Sequence, residues 1–146
     1  MKPFYSMTAI VLFLLTSQAY AQPQDEAQRQ QIRAVIGKTY DQPHSKVETN
    51  PIALSAEFAI ADWVQGKHGG RALMRKVKGV WQITACGGDG FKDVSALVDA
   101  GMPKSTAQTL VSQLNAAEKP LNPERVKQFS LFGTAVAVPV GQQHHH

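Results

Sequence analysis

Three β-rich runs lie between residues 58 and 86, and each is separated from the next by a turn that contains glycine. Phe58 to Gln65 (FAIADWVQ) alternates apolar and polar positions and ends at Gly66. Arg71 to Val77 follows, then the pair Lys78-Gly79, then Val80 to Cys86 (VWQITAC). A glycine-containing dipeptide between two β-branched runs predicts a tight hairpin, and Gly66 to Gly70 predicts a second, looser turn. The result is an antiparallel meander, to which Ile52–Leu54 can add an edge strand.

A sheet of this kind needs a cover for its apolar face. Ile32, Val35, Ile36 and Tyr40 recur at helical spacing and predict a helix over Glu26–Tyr40, stopped by Pro43. Lys92–Ala100 predicts a short helix closed by Gly101. Pro103 opens a longer one reaching Lys119, and Glu124–Phe129 a third. Thr134–Val138 (TAVAV) is β-branched enough to return to the sheet edge as a last strand. The expected fold is α+β: an N-terminal helix on a curved antiparallel sheet, cystatin-like or NTF2-like, with short C-terminal helices.

Lys2 followed by the apolar run Met7–Leu15 and the small residues of Ala19-Tyr20-Ala21 has the pattern of a cleavable signal peptide over residues 1–21. Residues 22–140 then form a single domain and 141–146 a flexible histidine tail. The expected location is the periplasm, with no membrane span after cleavage. Loss of Lys2 leaves 14 basic residues against 11 acidic. The cations alternate along a hairpin and do not form a patch, so nucleic acid is not expected as a partner. Cys86 is the one cysteine, so no internal disulfide can brace the fold.

Chemistry gathers at one end of the meander. Pairing Val77 with Val80 places Cys86 opposite Arg71 and about three residues from His68, with Gly87-Gly88-Asp89-Gly90 directly behind. Thiolate, imidazole and carboxylate are ligands for copper or zinc, which makes Cys86, His68 and Asp89 a candidate metal set. A neighbouring Arg71 would favour the thiolate. The tail His144, His145 and His146 is read as native and metal-attracting, against the alternative of a purification remnant. Met74, Met102 and His44 are read as core, junction and loop residues.

Two other readings of the same rim stay open. The glycine-rich edge could present backbone N–H groups to an anion or peptide, making the domain a ligand- or protein-binding module without metal. Alternatively, Cys86 could be the nucleophile of a thiol enzyme with His68 as its base.

The segments AIADWVQGKHGGRALMR, VWQITACGGDGFKD and NPERVKQF together resemble the periplasmic copper uptake system-associated protein family. The resemblance covers about Ile32 to Phe132. It implies a non-enzymatic accessory of copper uptake and handling, with copper as bound metal. The implied partners are a periplasmic copper chaperone or an outer-membrane copper transporter. It carries over no ligand residues of its own.

Overall fold

The computed structural model describes Pro3, residues 23–133 and residues 136–138. The signal-peptide assignment and the tail histidines 144–146 fall outside the described residues. The element order is α1 (Pro23–Tyr40), β1 (Glu48–Ser55), β2 (Phe58–Gln65), β3 (His68–Val77), β4 (Val80–Gly87), a 3-10 turn (Asp89–Lys92), α2 (Val94–Asp99), α3 (Lys104–Glu118), α4 (Pro123–Gln128) and β5 (Val136–Ala137). The five strands form one antiparallel sheet in sequence order. The fold is therefore α+β, as the patterning predicts. Among the described residues no helix is long and apolar enough to cross a membrane.

Each hairpin is closed by the residues its backbone demands. Lys78 and Gly79 both have positive φ (50° and 78°), the conformation that matches the right-handed strand twist. Gly66 (φ 59°) leads a two-residue turn with Lys67, so β3 already begins at His68 and the turn is tighter than predicted.

Because strand side chains alternate, the sheet has two apolar faces and both are covered. On one, Ile32 and Ile36 of α1 pack with Ile52, Ala59, Ala72, Met74, Trp81 and Ile83. Full burial of each isoleucine contributes roughly 1.5–3 kcal/mol. On the other, Leu97 of α2 and Ala107, Leu110 and Leu114 of α3 pack on Ala53, Ile60 and Leu73. Helices thus sandwich the sheet in three layers. Gln113 of α3 also closes the β1 edge, since its amide accepts from Leu54 N–H and donates to Leu54 C=O, both at 2.9 Å.

One irregularity decides the site. Leu73 pairs with Ala85 but Met74 pairs with Ile83, which leaves Thr84 as an extra residue in β4. Its hydroxyl donates to the Leu73 carbonyl at 3.0 Å and so satisfies the disturbed ladder. A one-residue slip turns every later side chain to the opposite face. Trp81 and Ile83 face α1, Ala85 faces α3, and Cys86 faces α1 again. Cys86 therefore lies opposite Ala72 instead of the expected Arg71.

After α4 the chain wraps around the glycine-rich end of the sheet. A Cβ on Gly69 would stand 2.3 Å from the Gln128 carbonyl oxygen, and one on Gly88 3.1 Å from that of Ser130. A Cβ on Gly70, on the other face, would stand 2.9 Å from both Phe132 and Trp63. Gln128 fastens the β2–β3 turn by donating to the carbonyls of Gly66 and His68, each at 2.9 Å. Gly69, Gly70 and Gly88 make room for the close approach of the segment from Gln128 to Gly133. Gly69→Ala is expected to destabilise the fold by about 2 kcal/mol, because backbone has to move. Gly90→Ala, with open space at its Cβ, should stay within about 0.5 kcal/mol of the parent. Urea unfolding of the two variants checks both, and equal midpoints would contradict the close approach.

Candidate functional site

The bulge sorts the predicted site residues onto different surfaces. Cys86 lies on the α1 face, where it is only 5% exposed. His68 is exposed at the start of β3, four residues from the Ala72 that pairs with Cys86. That separation is roughly 13 Å along the strand. The imidazole lines a neighbouring cleft and not the cavity that holds the thiol. Asp89 belongs to the opposite face, where its Oδ1 accepts from Arg71 Nη1 at 2.9 Å and from the Ser130 hydroxyl at 2.6 Å. The structure thus brings none of the three together. Among the described residues there is no group of three or more His, Cys, Asp or Glu side chains able to hold a metal ion.

The thiol opens onto a pocket of about 280 Å³ between the C-terminal end of α1 and the sheet. Tyr40, Trp63 and Cys86 form its inner wall, and Val47, Gln65, Phe132, Val136 and Val138 close it. None of these residues is Asp, Glu, His, Lys or Arg. β5 reaches the pocket because Val136 pairs with Cys86 on the outer edge of β4. Trp63 and Phe132 meet edge to face, with ring centroids 6.1 Å apart. Gln65 holds the mouth in place, its amide donating to the carbonyls of Tyr40 and Ser45 at 2.8 Å.

Tyr40 and Cys86 are the reactive groups of this pocket, 4.0 Å apart from oxygen to sulfur. Burial pushes the Tyr40 hydroxyl up to about 12, and the adjacent thiol adds to the effect. Burial also raises the Cys86 thiol, against a smaller opposing contribution from the tyrosine hydroxyl. Both are neutral at physiological pH, so neither is an activated nucleophile or base. The expected help from Arg71 is absent because Arg71 points to the other face.

There Arg71, itself fully buried, anchors a polar cluster that the sequence reading did not foresee. Its Nε and Nη2 donate to Glu118 Oε1 at 3.1 and 2.8 Å, and its guanidinium lies over the Phe129 ring. Lys92 Nζ donates to Glu118 Oε2 at 2.6 Å. Asp62 Oδ1 is 3.2 Å from Arg71 Nε, an N–H already given to Glu118. Burial raises Asp62 to about 9, and the facing Glu118 carboxylate adds to the shift, outweighing Arg71 and Lys92. Asp62 therefore keeps its proton at neutral pH, and among the described residues neither of its carboxyl oxygens has a hydrogen-bond partner. Burial works against the charge of Glu118, but the facing Asp62 and the hydrogen bonds from Lys92 and Arg71 hold its carboxyl below the usual range. Three carboxyls, two cations and one retained proton leave the cluster neutral, which is what permits its burial. The sequence signal was the Asp62-to-Arg71 cross-strand pair, both at positions where the alternation calls for an apolar residue.

No family model, curated protein or solved structure matches the chain.

The retained proton gives a signed pH effect. Asp62 has a higher pKa folded than unfolded, so the folded state binds the extra proton between about pH 4 and 9 and Asp62 costs stability as pH rises there. Asp62→Asn, which mimics the protonated form, removes that slope. Its stability relative to the parent should grow between pH 5 and pH 8 by at least about 1 kcal/mol. Urea unfolding at the two pH values measures this, and parallel behaviour of the two proteins would show that Asp62 is ionised.

Proposed function

We propose that this chain is a non-enzymatic binding protein that takes a small, neutral, apolar group into the pocket beside Cys86. The carrying observation is the pocket's composition: about 280 Å³ walled by aromatic and aliphatic side chains, with no ionisable group beyond the neutral Tyr40 and Cys86. A dry cavity of about 150 Å³ is enough for one benzene ring, so this one suits a two-ring body. It sits near the lower end of ordinary ligand-pocket sizes. Tyr40 and Gln65 supply the few polar atoms that can orient a guest. A thiol enzyme is disfavoured because Cys86 has no base and a raised pKa.

2-Naphthol, neutral at pH 7, is a suitable probe. It is expected to bind the parent protein and to lose at least tenfold in affinity when Val47→Trp fills the pocket, with the far-UV circular dichroism and unfolding midpoint preserved. Calorimetry measures both. Binding that survives Val47→Trp would place the ligand elsewhere and remove this reading.

A second reading is favoured by the segments resembling the copper uptake system-associated proteins and by the soft donor in the pocket wall. In it the chain is a periplasmic accessory of copper handling, working with a copper chaperone or an outer-membrane copper transporter. Metal would then be held by Cys86 or by His144, His145 and His146. Copper ligation by Cys86 requires loss of the thiol proton, which its surroundings resist. Anaerobic Cu(I) and aerobic Cu(II) titrations of Cys86→Ser and of a variant ending before His144 test it. A clear loss of affinity in either variant is expected, whereas unchanged affinity in both removes these ligands.

A further inference from the structure

The pocket does not end at its aromatic wall. Trp63, Gln65 and Phe132 line it on one side and also line a second, more open cleft, which His68, Gly69 and Leu131 complete. The two cavities adjoin over the C-terminal half of β2, with three lining residues in common. They differ in chemistry. The Cys86 end is apolar and without charge. At the other end His68 is exposed, and its ring presents an N–H donor whether neutral or charged. Lys67, next to it in the β2–β3 turn, is exposed as well and lines the adjoining depression with Lys127 and Glu124. Among the described residues no carboxylate lines the pocket or the cleft.

We infer that pocket and cleft form one bipartite site for a small amphiphile, its apolar body against Tyr40 and Cys86 and its carboxylate head against His68. The inference rests on the pocket reading above and adds the ligand's charge and orientation. Complementarity favours an anionic guest: a carboxylate accepts from the imidazole N–H and is drawn to Lys67, whereas a cationic head would meet the like charge of Lys67. The edge-to-face pair of Trp63 and Phe132 marks where body and head join. His68 keeps a role in ligand recognition, although it shares no ion with Cys86.

The test compares two ligands of nearly the same shape, naphthalene-2-acetate and the uncharged naphthalene-2-acetamide, by calorimetry on the full chain at pH 7 and low salt. The acetate is expected to bind about fivefold tighter or better. In His68→Ala that preference should disappear, with acetamide affinity unchanged, which also shows that the variant is folded. Equal affinities in the parent, or a preference that persists in His68→Ala, overturns the inference. If 2-naphthol binds and is lost in Val47→Trp while neither acetate nor acetamide binds, the bipartite site falls and the apolar pocket stands. If 2-naphthol fails as well, both fall.

Discussion

Everything on the α3 face is organised around one buried guanidinium. Arg71 sits in the middle of a central strand, where an apolar residue would ordinarily be expected, and it has no exposed surface. Stripping a cation of water costs several kcal/mol unless its donors are met. Here they are met from two directions, Glu118 at the end of α3 and Asp89 in the turn after β4, with Asp62 of the neighbouring strand 3.2 Å away. Such a cluster adds little net stability compared with an apolar core, but it is demanding about geometry. Moving α3 along its axis, or the Asp89 turn away from the sheet, would strand a charge. The cluster thus fixes where the C-terminal half docks.

The same cluster reaches the Cys86 pocket on the opposite face. Asp89 accepts from the Ser130 hydroxyl, and Ser130 lies in the segment that rounds the sheet end over Gly69, Gly88 and Gly70. Phe132 follows two residues later and is part of the pocket wall. The path from the buried Arg71 to the pocket is therefore short: guanidinium, Asp89, Ser130, Phe132. The first two links are hydrogen bonds and the last is two residues of chain, which ties the aromatic wall to an ion cluster on the opposite face.

Much of this architecture is legible in the sequence, and the part that is not has a specific cause. Helical spacing of Ile32, Val35 and Ile36, the Lys78-Gly79 turn, and Gly101 and Pro103 between helices give the elements close to their observed bounds. Local patterning carries those features, so they can be read locally. The bulge at Thr84 has no such mark: no glycine or proline announces it, and its hydroxyl compensates for it only once Leu73 is alongside. Missing one residue of register put Cys86 next to Arg71 on paper, when it belongs on the other face with Tyr40. The glycines were equally ambiguous. A run of Gly69-Gly70 and Gly87-Gly88 reads as turn or exposed backbone until the segment from Gln128 to Gly133, some forty to sixty residues later, is laid against it.

That packing also explains why an apolar pocket persists beside a well-filled core. On the α1 face the small residues Ala59, Ala61 and Ala72 let α1 approach the middle of the sheet closely. Toward Cys86, α1 has ended at Tyr40, and the chain turns away through Asp41–Ser45. Among the described residues no helix covers the last stretch of sheet. Phe132, Val136 and Val138 reach over it from the far side, but β5 is only two residues long and meets β4 at Ala85 and Cys86 alone. The space between the end of α1 and this thin cover is what the pocket occupies. It follows from where two elements stop, and filling it with side chains would have required only larger residues at Val47 or Cys86.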